Sequence, residues 1–204
     1  MKVVLDLHDF SVVNNRLDLL LKLKEHFPKF KVSLFTVPLD ESKDWGASTM
    51  RHYFLDVIKQ NLDWIQIIPH GLKHDGHEMK RTDYMTFKNE IIPMIEEIFD
   101  VDGLPYEKGF LAPHFSWTEG IVRVLDEEGW WGAIDRDKVM PVPKKFYRYT
   151  WRINEPFLNF DTDVLKIHGH IYGTKNDIGL CMDKILALPQ DTEWHFCTDF
   201  LETK

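Results

Sequence analysis

The sequence predicts an α/β fold on a largely parallel sheet, closed or nearly closed into a barrel, with an open doubly wound sheet as the alternative. Three observations predict it. Strand-like and helix-like segments alternate along most of the chain. Many strand segments are apolar at successive positions, as strands covered on both faces are. Four of them, residues 3–9, 64–74, 109–114 and 164–170, run into histidine, and α/β enzymes collect their site residues at strand ends.

The elements follow in order. Residues 3–7 read as a strand. Residues 14–26 place Leu17, Leu20, Leu21 and Leu23 at helical spacing, with Asn14 or Asn15 as the cap and Pro28 as the stop. Residues 31–37 are a β-branched strand, 49–60 a helix and 64–68 a strand. Residues 84–99 are helical, and Pro93 must kink that helix or occupy a first turn. A strand at 108–112, a helix at 118–128 capped by Thr118 and a strand at 131–135 come next. Residues 164–168 form another strand, 177–188 a helix and 193–200 a last strand. Between them, residues 138–163 break the rhythm with Pro141, Pro143 and Pro156 among Phe146, Tyr147, Tyr149 and Trp151. This segment reads as an excursion walling one side of a site. With no repeat and no linker, residues 1–204 form one domain.

A chain of 204 residues can bury a sound core, and its net charge of −8 argues against nucleic acid as the main partner. The same excess disfavours a strongly anionic substrate. Cys181 and Cys197 have no metal-like spacing and read as buried thiols of a reducing compartment. The first residues show no signal-peptide pattern, and no apolar stretch is long enough to span a membrane, so a cytoplasmic location is expected.

Of ten histidines, six fall in the four strand-end runs and a seventh, His77, lies three residues past one of them. Neutral imidazole is the commonest metal ligand. The strongest local signal is Pro69-His70-Gly71-Leu72-Lys73-His74, since imidazoles at i and i+4 share one face when the backbone turns helical. A catalytic zinc takes three protein ligands and keeps one position open, and Asp9, closing the first strand, is the candidate third ligand. Asp6 and His8 share a strand face, so a buried Asp6 is expected to hydrogen-bond His8 and fix its tautomer. On the late strand, Leu165 and Ile167 face one side and Lys166, His168 and His170 the other. A histidine there is placed to protonate a leaving amine. His77, three residues past His74, is a further candidate to support the ligands.

These pieces, in this order, resemble the NodB-type polysaccharide deacetylases, carbohydrate esterase family 4. The family's T-F-D-D-G motif corresponds to Asp6-Leu7-His8-Asp9-Phe10, its H-[S/T]-x-x-H to His70-Gly71-Leu72-Lys73-His74, its R-x-P-x-G weakly to Leu111-Ala112-Pro113-His114-Phe115, and its L-x-x-H to Leu165-Lys166-Ile167-His168. The resemblance implies a distorted (β/α)7 barrel and removal of acetyl from N-acetyl sugars with one divalent ion, for which zinc is expected. It implies Asp9, His70 and His74 as ligands, His8 in the place of the family's base aspartate, and His168 as the proton donor. It implies substrate contacts at Pro113, His114, Trp117 and His170, with a backbone N–H near 113–115 on the oxyanion. The family's Arg is replaced by Leu111, and a neutral His8 needs no cationic brace. The expected partner is a carbohydrate, a sugar precursor rather than an assembled polymer. Two rivals stand beside this: another mononuclear or dinuclear metal hydrolase on a β/α barrel, and a non-catalytic carbohydrate-binding relative.

Overall fold

The computed structural model of the protein describes residues 1–39, 49–156, 162–173 and 175–204, with the backbone alone at 49–52. Among the described residues, strands and helices alternate as expected up to residue 134, after which three strands follow before the next helix. They are β1 (Lys2–Phe10), α1 (Leu17–His26), β2 (Val32–Thr36), α2 (Thr49–Lys59) and β3 (Ile65–Pro69). The third helix, α3, is composite: an α turn at Tyr84–Thr86, a π-helical turn at Phe87–Ile91 and an α run at Ile92–Asp102. Next come β4 (Gly109–Phe110), a 3-10 turn at Pro113–Phe115, α4 (Glu119–Glu128) and β5 (Trp131–Ile134). β6 (Lys145–Arg148), β7 (Trp151–Arg152), β8 (Val164–His170), α5 (Ile178–Leu186), β9 (Glu193–His195) and β10 (Glu202–Thr203) complete the chain.

The strands form two sheets rather than one closed barrel. One has the order β3-β2-β1-β8-β7, with β9 also paired to β1; the other has β10-β6-β5-β4. All pairings are parallel except β10 with β6. A single parallel bridge, His70 to Leu111, joins the sheets where β3 and β4 end. The expected parallel barrel is therefore present in distorted form, with its seam beside the histidines.

Strand periodicity sorts the side chains. Val3, Leu5 and Leu7 of β1 and Leu165 and Ile167 of β8 pack into the core under the helices. Val4, Phe35, Ile68, Leu111, Trp131 and Tyr147 fill the interior between the sheets. Asp6 and His8 continue the Val4 row upward, and His168 and His170 continue it on β8, where the register sets Asp6 opposite His168 and His8 opposite His170.

Three local expectations are corrected, and one, for Pro93, is met. α1 starts at Leu17 behind Arg16 in a left-handed conformation, with no side-chain cap; Asn15 Oδ1 instead accepts from the Leu17 amide at 3.2 Å. The final run ends as a strand at His195, because the Cys197 amide turns inward to donate to Ser33 Oγ. The segment expected as an excursion contains β6 and β7, its apolar aromatics supplying strand faces; its residues 157–161 lie outside the described residues. Pro93 sits in a first turn, that of the α run from Ile92, and the π turn, closed by Ile92 N–H to Phe87 O, accommodates its missing donor.

Candidate metal centre

A bulge decides where Asp9 points. Alternation alone would turn Asp9 away from Asp6 and His8. The β1–β2 register shifts between Leu7 and Phe10, and Asp9 takes a positive φ of 61°. The carboxylate is thereby re-aimed to the strand-end rim, a recurrent use of bulges beside active sites. His70 and His74 reach it without a helical turn, contrary to the spacing argument. The chain leaves β3 through Gly71 (φ 62°) and reaches His74 at φ 60°, so a left-handed loop brings the rings together at 4.7 Å. Glu78 braces this loop by accepting from the Leu72 and Lys73 amides at 2.8 and 3.1 Å. No spacing rule pointed to Glu78.

Asp9 Oδ1 lies 3.1 Å from His70 Nε2 and 3.0 Å from His74 Nε2. His70 Nδ1 lies 3.1 Å from the Leu111 carbonyl, which can only accept, so Nδ1 carries the proton. A neutral His70 then turns its Nε2 lone pair towards a carboxylate. Two acceptors face each other, and a shared cation is what relieves that arrangement. Burial drives the His70 pKa down, so the ring disfavours the extra proton that would otherwise bridge them. Burial would raise the Asp9 carboxyl, but its bonds to His70 and His74 outweigh this and hold it far below the usual carboxylate range. The hydrogen bond to Asp9 raises His74. One ligand atom from each of Asp9, His70 and His74 falls within 4.8 Å of the others. The donor set, one hard carboxylate and two imidazoles, one anchored through its far nitrogen, fits a divalent ion.

A second histidine cluster abuts the first. His8 packs 5.2 Å from the His70 ring and 4.1 Å from that of His168, and nitrogens of His8, His168 and His170 also lie within 4.8 Å of one another. Asp6 is the hub, but not as expected. Its Oδ1 takes His168 Nδ1 at 2.9 Å and only more distantly His8 Nε2 at 3.3 Å, while Oδ2 accepts from the Tyr147 hydroxyl at 3.0 Å. Burial raises the Asp6 pKa, against which the bonds from His168 and Tyr147 act. Register explains the swap, since Asp6 stands directly opposite His168. Burial, reinforced by the neighbouring imidazoles, lowers His8 well below the ordinary histidine value. His170 is likewise lowered by burial, to about 4.

The remaining candidates divide. His114 places its ring 5.8 Å from that of His74, and Phe115 packs 5.3 Å from His8 and 5.9 Å from His168. Both have positive φ. Trp117 is buried, its indole N–H donates to Pro141 O at 2.8 Å, and its ring stacks on Phe110. Pro113 is also buried, wedged against Gly71. His77 is exposed on a turn outside the ligand set, because the loop never forms the helical face that would have aligned it with His74. The aromatics of the segment 138–163 pack inward. Tyr149 stacks 4.5 Å from His168 and donates to Asp135 at 2.9 Å, and both Tyr147 and Tyr149 are buried. Trp151 is half-buried, its N–H bonded to Pro156 O.

No protein-family model and no curated protein matches this sequence. Solved structures do. The chitin deacetylase of the fungal pathogen Colletotrichum lindemuthianum matches at 15% identity, covering 97% of this chain and 85% of that chain, with a TM-score of 0.63. A family 4 acetyl xylan esterase from Clostridium thermocellum, solved with a cobalt ion, matches at 13%, covering 98% and 89%, with a TM-score of 0.59. A family 4 pseudoenzyme from Bacillus anthracis matches at 12%, covering 97% and 64%, with a TM-score of 0.55. The fold is therefore that of the NodB-like carbohydrate esterase family 4, in a divergent sequence.

Proposed function

We propose that this protein is a hydrolase that removes an acyl group, acetyl in the simplest case, from an N-acylated sugar, with one divalent ion, expected to be zinc, held by Asp9, His70 and His74. The observation that carries the reading is the pair of acceptors, His70 Nε2 and Asp9 Oδ1, facing each other at 3.1 Å with the His70 proton spent on Leu111. The names of the structural neighbours, deacetylase and esterase, support the reaction class. A bound ion would polarise the acyl carbonyl and acidify an attacking water.

The protein's own groups supply the rest. His8, kept neutral by burial, is the base by position and takes the water's proton. His168 has its Nδ1 proton anchored on Asp6, which fixes the ring; as the doubly protonated imidazolium it gives the proton on its opposite nitrogen to the leaving amine, and the proton that His8 took from the water replaces it. As the C–N bond breaks, the acid and the free amine separate. The Phe115 and Ser116 amides are spent on the Ala112 and Pro113 carbonyls, which leaves the His114 amide as the candidate oxyanion donor.

A second reading is favoured by one observation, the His8, His168 and His170 set, which could take a second ion and make the centre dinuclear. Metal content by mass spectrometry separates the two. One ion per chain, lost in His74→Ala, supports the mononuclear reading, and two favour the second. Acetate release from a panel of N-acetyl sugars tests the reaction. A retained ion with no release from any of them would leave a non-catalytic carbohydrate-binding relative.

A further inference from the structure

Beside the metal centre, on the far side of His114, lies a cavity of about 430 Å³ whose wall includes His77, Lys80, His114, Ser116 and Lys138. Among the described residues no carboxylate lines it. Every named polar side chain in that wall carries a hydrogen-bond donor, and two are permanent cations near neutral pH. In a chain of net charge −8 this is a local reversal of sign, and local potential rather than net charge decides what a cleft attracts.

The cavity is coupled to the centre by its own wall. His114 lines it and also packs 5.8 Å from His74. Phe115 lines it and packs 5.3 Å from His8. Both residues sit at positive φ, 56° and 52°, a conformation that non-glycine residues hold only where the surroundings impose it. Gly76 permits the approach of His114, since a Cβ there would meet its Nε2 at 2.9 Å. Lys138 is aimed rather than loose: its ammonium donates to the His114 carbonyl at 2.7 Å and lies 5.7 Å over the Phe115 ring. The acids adjacent in sequence to the wall are Asp75, whose carboxylate accepts from the His77 amide, Glu78, whose Oε1 accepts from the Leu72 and Lys73 amides, and Asp137, which pairs with Arg152 and Arg136.

We infer that this cavity recognises an anionic group, phosphate or carboxylate, carried by the sugar next to the acyl group presented to the metal centre. The inference rests on the hydrolase reading for the identity of the ligand as substrate, but not for the existence of the anion site. It also runs against the expectation, drawn from net charge, that a strongly anionic substrate is disfavoured.

Calorimetric titration of the full chain with inorganic phosphate and, separately, with glucuronate tests it. Binding of either probe at millimolar concentration or below is expected. Lys80→Met combined with Lys138→Met should weaken it about tenfold, two exposed charge pairs being removed. Because Lys138 also holds the His114 carbonyl, Lys80→Met alone is the second variant. It should weaken binding by about threefold, and Lys138→Arg should retain it. His74→Ala should lose the ion yet keep the anion, which separates this site from capture by the metal itself. Preference for phosphate over glucuronate would indicate a phosphorylated sugar, and the reverse a uronic acid. No binding in the wild type, or equal binding in the double lysine variant, overturns the inference while leaving the hydrolase reading intact. Loss of acetate release with anion binding retained would do the opposite.

Discussion

Replacing Gly71 by alanine tests whether the left-handed loop after β3 sets the ligand geometry. Two costs follow from the structure. The backbone sits at φ 62°, which costs an L-residue about 1–2 kcal/mol. A Cβ would also meet Pro113 Cγ at 2.7 Å and Glu78 Oε2 at 2.8 Å. The proline ring is tied to the backbone and cannot swing away, and overpacking of this kind costs about 1–3 kcal/mol. Together they predict roughly 2–5 kcal/mol of destabilisation, or about 4–20 °C in Tm for a chain of this size. Gly129 supplies the control. Its φ is 74°, but nothing lies within 4 Å of its added Cβ, so Gly129→Ala incurs only the backbone cost. Thermal unfolding of both variants and zinc titration of each are the measurements. Gly71→Ala should unfold several degrees below Gly129→Ala and bind zinc at least about tenfold more weakly, since the loop carries His74. Equal melting temperatures would refute the contact argument. Unchanged zinc affinity would refute the claim that this loop positions the ligands.

Asp6→Ala strands the buried donors of His168, His8 and Tyr147, so kcat should fall about 10–100-fold with zinc content unchanged, and Asp6→Asn, which keeps an acceptor, should recover part of the loss. Unchanged turnover, or a rise in KM alone, would remove Asp6 from any positioning role. Zinc binding should weaken on acidification, beginning above the ordinary histidine value because Asp9 raises His74, and competition titrations across pH read this directly. In the metal-free chain the sign differs. Asp9 is depressed and His74 raised, so their pair stabilises the fold from above the unfolded aspartate value up to the raised His74 value, and is lost as pH rises through the latter. Because buried His8, His70 and His170 are lowered and gain stability with rising pH, the test is a difference: the midpoint gap between the chelated wild type and His74→Ala should shrink as pH rises through neutral, and a gap that widens would contradict this. Cys181 and Cys197 are free and buried, and burial raises both thiols, so neither should react with a thiol reagent before unfolding; fast native labelling would contradict the packing.

Much of the fold was legible because its strands carry an unbroken apolar pattern and its helices a periodic one. Val3, Leu5 and Leu7 under the helices and Val4, Asp6 and His8 towards the interior follow from alternation alone. So does the division of β8 into Leu165 and Ile167 against His168 and His170. The short β6 and β7 were hidden because their aromatics and the nearby prolines read as loop. The histidines announced themselves by standing at strand ends, yet the helical face proposed for His70, His74 and His77 does not exist.

What the residue order determined, then, is which side chains arrive at the rim, since period and strand length fix that locally. Three things were decided only in three dimensions. The bulge at Asp9 aims a carboxylate that alternation would have turned away. The β1–β8 register hands Asp6 to His168 rather than chiefly to His8. The packing of Pro113 on Gly71 closes the loop that swings His74 back to Asp9. Each depends on contacts between residues far apart in the chain, and local spacing carries no record of those.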